Sequence, residues 1–340
     1  MSSVLHTPEQ GGDHPMEHSN YLVYHGLLLP RAVHSQDSLQ YAENFQVQDE
    51  DIFVVTYPKS GTTWMQEIIP LILSGGDLTP VHTIPNWDRV PWLEETRTSL
   101  VIDKMRCPRV FVTHLPYHLM PRSFFSSKAK VIYVTRNPKD VAVSSFYFHK
   151  MASFLDDPGL FDKFLNKFLS GQGKRKKSGL KVTMIMVVTF IPIIISQQMS
   201  FVCFFFFLCL VLFGKWTDHV KCWRNLDLGD RILYITYEEM LQDLKGALVR
   251  FSRFLNRELT LEALEKVAEH CSFNNMKNNT MSNYSLVPED IMDSSKSPFL
   301  RRGVSGDWKN HFSPEQEAKF SAVIKEEVKG TSFKFPWDEE

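Results

Sequence analysis

A short apolar run that leads through a lysine-containing loop into a helix is the feature that most constrains this 340-residue chain. The run Ile52-Phe53-Val54-Val55 is β-branched and aromatic, as in a buried strand, and the loop TYPKSGTTW of residues 56–64 follows it directly. Residues 62–69 predict the start of a helix that Pro70 ends or kinks. Unpaired N–H groups of a first helical turn bind anions, and Lys59 adds a positive charge beside them. The loop therefore predicts a site for a phosphate-like group.

The position of the lysine separates this loop from the phosphate loop of ATPases and GTPases. That loop reads GxxxxGK[ST], with its lysine after the second glycine. Here Lys59 precedes Gly61, the only glycine of the loop. The sequence therefore disfavours an ATPase or a GTPase, and a nucleotide kinase with an unusual phosphate loop stays open as an alternative.

The loop closely resembles the 5′-phosphosulfate-binding loop of the cytosolic sulfotransferases, and three further segments follow in that family's order. The family transfers a sulfuryl group from 3′-phosphoadenosine 5′-phosphosulfate (PAPS) to a hydroxyl or amine of a small acceptor. The resemblance covers residues 21–173 and 213–335, approximately. It implies that Lys59 acts in catalysis by stabilising the leaving oxygen. It also implies that PAPS is bound by Lys59, Ser60, Gly61, Thr62, Thr63 and Trp64.

The second segment, KVIYVTRNPKDVAVSSFYF, spans residues 130–148 and predicts another buried strand followed by a helix from Asp140 onward. Arg136 and Ser144 match the family residues that hold the 3′-phosphate of the cofactor. The chemistry suits them, because a guanidinium pairs with phosphate oxygens and a hydroxyl donates one more bond.

The third segment, PRVFVTHLPYHLMP of residues 108–121, is an apolar strand that ends in a polar turn. His114 matches the catalytic base of the family, and a neutral imidazole can take the proton of an acceptor hydroxyl or amine. Val112 stands where many relatives carry a lysine, so the resemblance predicts a greater reliance on Lys59.

The fourth segment, SPFLRRG of residues 297–303 followed by Gly306-Asp307-Trp308, resembles the family's closing cofactor segment. Arg301 and Arg302 add charge there, and Gly303 lets the backbone approach closely. Tyr237 is the last residue of a predicted strand of residues 232–237, and it matches an adenine-enclosing position, as Trp64 and Phe273 do. The resemblance assigns these further cofactor-binding residues: Tyr237, Ser272, Phe273, Met276, Phe299, Leu300, Arg301, Arg302 and Gly303.

Composition and element order fit one large domain. Strands that alternate with helical stretches predict an α/β fold, with a mostly parallel central sheet flanked by helices, and the resemblance makes this the P-loop-like sulfotransferase fold. A net charge of −1 gives no basic footprint for nucleic acid. The five cysteines form no metal spacing and suit a reducing compartment, so we expect no metal and a cytoplasmic location. Residues 1–20 predict a polar tail, and residues 21–340 a single sulfotransferase domain.

An apolar insertion at about residues 173–212 interrupts this domain. Residues 182–214 contain no charged residue, and Lys174-Arg-Lys-Lys177 precedes them, as beside a membrane span. A span here would place Lys59 and Arg301 on opposite sides of a bilayer, although both should bind one cofactor. We therefore favour a retained intron or a gene-model error. A genuine membrane segment and a buried or disordered insertion stay open, as does a non-catalytic product that the insertion disables.

The acceptor and the oligomeric state stay open. Trp92, Phe146 and Tyr147 are candidate walls of an apolar acceptor pocket, and Glu95 is an unusual charge beside them that could favour an amine or face solvent. The family's dimer motif has the form KxxxTVxxxE, and only Lys309 of it is kept, so a homodimer is uncertain. The expected partner is a small-molecule acceptor.

Overall fold

The computed structural model describes residues 20–171, 212–331 and 333–338. The predicted tail of residues 1–20 lies outside these ranges except for its last residue, and the insertion at about 173–212 lies outside them except for Leu212. Nearly all of the membrane-span candidate is therefore not described. Within the described ranges, no helix is both long and apolar enough to cross a membrane.

A parallel sheet forms the centre of the fold. The strands of the described chain are β1 (Tyr21–Tyr24), β2 (Leu27–Pro30), β3 (Ile52–Thr56), β4 (Val110–Thr113), β5 (Lys130–Thr135) and β6 (Ile232–Thr236). The last four make one sheet in the order β4-β3-β5-β6, and each neighbouring pair is parallel. β1 and β2 form a separate antiparallel hairpin. The predicted fold class is confirmed.

Helices cover both faces of this sheet. They are α1 (Gln36–Asn44), α2 (Thr62–Leu73), α3 (Thr79–Thr83), α4 (Asn86–Arg89), α5 (Thr98–Val101), α6 (Pro138–Met151), α7 (Phe161–Ser170), α8 (Trp216–Arg224), α9 (Tyr237–Gln242), α10 (Leu244–Phe254), α11 (Leu261–His270), α12 (Phe273–Asn278) and α13 (Pro314–Glu327).

Alternation along β3 explains why the sheet needs two helical layers. Ile52 and Val54 face a core that α2, α10 and α11 close, whereas Phe53 and Val55 face a second core that α1 and α8 close. Side chains of a strand point to opposite faces in turn, so a run that is apolar at every position must be covered on both sides.

The expectation that Pro70 ends or kinks the helix after the phosphate loop is wrong in part, because α2 continues past Pro70 to Leu73. A proline within a helix leaves the carbonyl four residues earlier without its usual donor. The Gln66 carbonyl is that group here, and the Arg89 guanidinium donates to it at 3.4 Å. A tertiary contact thus replaces the lost helical bond.

The helix predicted from Asp140 onward begins two residues earlier, at Pro138. Asn137 caps it, since the Asn137 side chain accepts a hydrogen bond from the Lys139 N–H at 3.0 Å. Proline is favoured in the first helical turn because its missing N–H would have no partner there.

The chain after the insertion packs directly against the first strands. Leu212 bridges Leu28 of β2, and the Phe213 N–H donates to the Leu28 carbonyl at 3.1 Å. The Tyr57 hydroxyl, at the end of β3, donates to the Gly214 carbonyl at 2.9 Å. These contacts place Phe213 beside the carboxyl ends of the central strands.

Candidate active site

A cavity of about 690 Å³ opens where the parallel strands end. Each central strand ends at a threonine, and the cavity receives Lys59 just after β3, His114 after β4, Arg136 after β5 and Tyr237 after β6. Ligands of open α/β sheets bind at this edge. Ser60 and Ser272 do not line the cavity. The other predicted site residues do: Lys59, Gly61, Thr62, Thr63, Trp64, His114, Arg136, Ser144, Tyr237, Phe273, Met276, Phe299, Leu300, Arg301, Arg302 and Gly303.

The loop between β3 and α2 forms an anion cradle. Lys59 and Gly61 both have positive φ, +68° and +109°, so the chain turns sharply and presents the first N–H groups of α2 to the cavity. A Cβ on Gly61 would lie 3.0 Å from the Tyr237 ring, so the loop and that ring can approach only at glycine. Ser60 is buried in the loop, and its hydroxyl has no partner among the described residues.

The ammonium of Lys59 lies between two aromatic rings. Its Nζ is 4.2 Å from the centre of the Phe148 ring and 4.5 Å from that of Phe299. Burial, together with the charges of Arg136 and Arg301, lowers the Lys59 pKa to about 7. The Lys59 ammonium is therefore weakly solvated, and an anion bound beside it would strongly favour the charged form of the lysine.

The imidazole of His114 is held in one tautomer. Its Nδ1 lies 2.7 Å from the Thr56 carbonyl oxygen, and since a carbonyl can only accept, Nδ1 carries the proton. The Nε2 atom is then unprotonated and able to accept a proton. Burial lowers the His114 pKa to about 3, which keeps the ring neutral at physiological pH. The arrangement is that of an oriented general base.

Two buried side chains fix the backbone of His114 from opposite sides. The His114 N–H donates to Glu94 Oε1 at 2.8 Å, and the His114 carbonyl accepts from His219 Nε2 at 3.2 Å. The Tyr133 hydroxyl, 3.0 Å from His219 Nδ1, completes this support. The sequence analysis missed Glu94 and His219, because neither lies near His114 in the chain.

Aromatic side chains surround the His114 imidazole. The Trp92 ring centre is 4.5 Å away and that of Phe213 is 4.9 Å away. Val112, which stands where many relatives carry a lysine, is fully buried in the sheet core. Lys59 is therefore the lysine that the described chain brings into the cavity beside this histidine; Lys167 lines it at a more distant helix.

Arg136 links the anion cradle to the closing segment. Its guanidinium donates to the Lys59 carbonyl at 3.1 Å and to the Val304 carbonyl at 3.2 Å, and it stacks on the Tyr237 ring at 4.2 Å. Its Nε is buried and has no partner in the described ranges. This N–H can donate a hydrogen bond to a phosphate oxygen, and Ser144, on the first turns of α6, lines the same cavity.

Trp64 and Tyr237 form an aromatic corner next to the cradle, with ring centres 5.4 Å apart and ring planes at 67° to each other. The Trp64 indole N–H donates to the Cys271 carbonyl at 2.8 Å, which fixes the ring. A Cβ on Gly303 would lie 2.1 Å from the Phe273 ring, so the closing segment can pass Phe273 only with glycine there. Ser272 instead caps α12 by accepting from the Asn275 N–H.

The two predicted arginines of the closing segment differ in their surroundings. Arg301 is largely buried, forms an ion pair with Asp307 at 2.6 Å and stacks on the Tyr147 ring at 4.4 Å. Arg302 is 61% exposed and lies 4.0 Å from the same carboxylate, so it is held less firmly than Arg301.

The prediction that Phe146 and Tyr147 form part of the acceptor wall is wrong. Phe146 packs against Phe161 and Phe164 below α6, and neither it nor Tyr147 lines the cavity. The lining positions of α6 are 144, 145, 148 and 149, which share one helical face, whereas 146 and 147 point elsewhere. Trp92 and Glu95 do line the cavity, and Tyr284, which the sequence analysis missed, joins them.

The chain is similar to known proteins in both sequence and fold. The family described as "Sulfotransferase domain" matches residues 49–332. Mouse sulfotransferase 2B1 is 43% identical over 319 residues, which are 94% of this chain and 83% of that protein. The 3-beta-hydroxysteroid sulfotransferase of Cavia porcellus is 36% identical and covers 94% of this chain and 99% of its own length. The crystal structure of mouse sulfotransferase SULT7A1 complexed with PAP superposes with a TM-score of 0.67 at 26% identity, covering 92% of this chain and 96% of that one.

Proposed function

The chain belongs to the sulfotransferase family, and from that premise we propose which of its residues perform the transfer. The enzyme moves a sulfuryl group from PAPS to a small acceptor, as the resemblance implied. In our proposal His114 is the general base and Lys59 stabilises the charge that develops on the leaving phosphate oxygen. Because the chain belongs to the sulfotransferase family, the alternative of a nucleotide kinase is rejected.

The observation that carries this assignment is the orientation of His114. Its Nδ1 proton is committed to the Thr56 carbonyl, so Nε2 is the atom that can receive the acceptor proton. The low pKa of this buried imidazole keeps Nε2 unprotonated before the reaction. As the acceptor oxygen gives up its proton to Nε2, it can form a bond to sulfur, and Lys59 offsets the negative charge on the oxygen that departs.

The residues around the cradle fit a bisphosphorylated nucleotide. PAPS supplies an activated sulfuryl group when bound. The cradle of Lys59 and the first turn of α2 suits its 5′ end, and the unpartnered Ser60 hydroxyl offers a further donor. Arg136 Nε, also unpartnered, suits the 3′-phosphate, and Trp64 and Tyr237 suit the adenine. Holding both substrates in place supplies much of the acceleration in reactions of this kind.

We propose an apolar alcohol with a rigid ring system, of the hydroxysteroid class, as acceptor. Aromatic and aliphatic side chains such as Trp87 and Leu286 line the cavity, and the Trp92 and Phe213 rings pack against His114. Relatives named as hydroxysteroid sulfotransferases support the same class. A cytoplasmic location stays a prediction.

The test uses the full-length chain with PAPS labelled at sulfur and a panel of hydroxysteroids, phenols and aryl amines. We expect label transfer to hydroxysteroids, none from γ-labelled ATP, and binding of 3′-phosphoadenosine 5′-phosphate (PAP) in calorimetry. His118→Ala is the matched control for substitution of His114, because His118 is exposed and lies outside the cavity. Transfer to phenols alone would overturn the acceptor class. PAP binding without transfer to any acceptor would show a non-catalytic product.

A further inference from the structure

Glu95 is a carboxyl group on the wall of the acceptor half of the cavity. It lies three residues after Trp92, whose ring contacts His114, and the Glu95 N–H donates to the Trp92 carbonyl at 3.3 Å. A turn closed in this way keeps the two Cα atoms within about 7 Å of each other. Asp156 and Asp157 also line the cavity, but both are exposed, whereas Glu95 is not.

The Glu95 carboxyl receives neither a hydrogen bond nor an ion pair from the part of the chain that the structure describes. Its neighbour Glu94 is different, because Glu94 accepts the His114 N–H. Arg97, the nearby cation that acts on Glu95, is paired with Asp88 at 2.9 Å. Glu95 is half-buried in the cavity wall, so its carboxyl is only partly hydrated there, and a ligand that brings a donor would supply the missing partner.

The Glu95 carboxyl and the Tyr284 phenol line the same cavity and interact electrostatically. Burial and the charge of Glu94 raise the Glu95 pKa to about 8, and Glu95 in turn contributes to a raised pKa of the buried Tyr284 phenol. Tyr284 packs on the Phe299 ring at 4.0 Å and on Trp87 at 5.2 Å. Glu95 is thus a polar point on a wall that is otherwise aromatic.

We propose that Glu95 binds an ammonium group of the acceptor, so that the preferred acceptors are apolar ring alcohols or phenols that also carry a basic amine. This inference rests on the proposed function, and it adds a basic amine to the apolar ring acceptor proposed there. The hydroxyl faces His114 while the ammonium pairs with Glu95, whose carboxyl is largely protonated at neutral pH before a ligand binds and ionises as the cation binds. The same wall that excludes water strengthens this pair.

The experiment compares two series of phenols with labelled PAPS at neutral pH: 4-(ω-aminoalkyl)phenols and 4-n-alkylphenols of equal chain length. At the best length, we expect wild-type kcat/KM to favour the amine by at least about tenfold, the scale of one charge-assisted hydrogen bond. Glu95→Gln should lower this ratio at least about tenfold. Glu95→Asp keeps the charge on a shorter side chain, so it should keep the preference and move the optimum to an acceptor longer by one methylene.

Glu289→Gln is the matched control, since Glu289 is exposed just beyond the cavity-lining Val287 and Pro288. It should leave the ratio within about twofold of wild type. Equal ratios in wild type and Glu95→Gln, or a wild-type preference for the alkylphenols at every length, would overturn the inference while leaving sulfuryl transfer intact. A protein that transfers no label and does not bind PAP would instead overturn the proposed function, and the inference with it.

Discussion

Nucleotide affinity should depend on pH through Lys59. The Lys59 ammonium is buried between Phe148 and Phe299, and its pKa is lowered to about 7 by burial, Arg136 and Arg301. An anionic nucleotide on the cradle favours the charged form and raises this pKa. Binding above pH 7 therefore takes up a proton, and the affinity falls as the pH rises. The phosphate groups of the nucleotide do not cause this trend, because their second pKa of about 6 leaves them ionised throughout.

The magnitude follows from the lysine pKa. With half of Lys59 charged at pH 7 and about one hundredth charged at pH 9, the affinity for PAP should weaken roughly 50-fold between these values. Calorimetry of PAP binding at pH 7, 8 and 9, in two buffers with different ionisation enthalpies, measures both the affinity and the protons taken up.

A substitution separates Lys59 from other groups that titrate in this range. Glu238, whose pKa burial raises to about 7, accepts from the Asn137 N–H next to Arg136, and its ionisation also weakens anion binding. Lys59→Gln removes the lysine contribution alone and should flatten most of the dependence, whereas Lys245→Gln, on an exposed surface, should not. A wild-type affinity that is constant from pH 7 to 9, or an equal dependence in Lys59→Gln, would refute the reasoning.

Four further predictions concern single parts of the site and the insertion. His114→Ala should lower turnover at least about 100-fold with PAP affinity retained, and more than a tenth of wild-type turnover would exclude His114 as the base. Arg136→Ala should weaken PAP more than adenosine 5′-phosphate, by roughly 1.5–3 kcal/mol, and equal losses in calorimetry would exclude its 3′-phosphate role. Glu94→Ala should lower kcat more than it raises KM for PAPS, because it releases the His114 backbone, and Glu94→Gln, which keeps an acceptor, should restore kcat; a change in KM alone would contradict this. Deleting residues 173–212 should raise soluble yield and activity together, and an inactive deletion with an active full-length chain would show that the segment is structural.

The sequence alone was sufficient for prediction where one contiguous segment contains both a secondary-structure element and the functional residues that the element positions. The apolar run Ile52-Val55, the glycine-containing loop and the start of α2 are contiguous, so sterics, helix ends and charge could all be recognised together. The same holds for Arg136, which directly follows a strand. These segments carried the α/β fold class, which is confirmed.

The errors arose where side chains meet across the fold. The continuation of α2 past Pro70 depends on a hydrogen bond from Arg89 to the Gln66 carbonyl. These residues are 23 positions apart, and no local sequence pattern contains that contact. Phe146 and Tyr147 were assigned to the acceptor wall because they are aromatic, but the rotation of α6 against the core decides which of its faces meets the cavity.

The sequence by itself determined the kind of chemistry: a lysine in an anion cradle, a histidine after a strand and an arginine after the next one. These groups lie within short motifs, and their identities do not depend on packing. Only the tertiary structure decided the state of each group. Thr56 sets the His114 tautomer from 58 residues away, His219 supports its backbone from 105 residues away, and burial shifts the Lys59 and Glu95 pKa values. Tautomer, hydration and pKa are set by neighbours in space, and the folded chain alone brings those neighbours together.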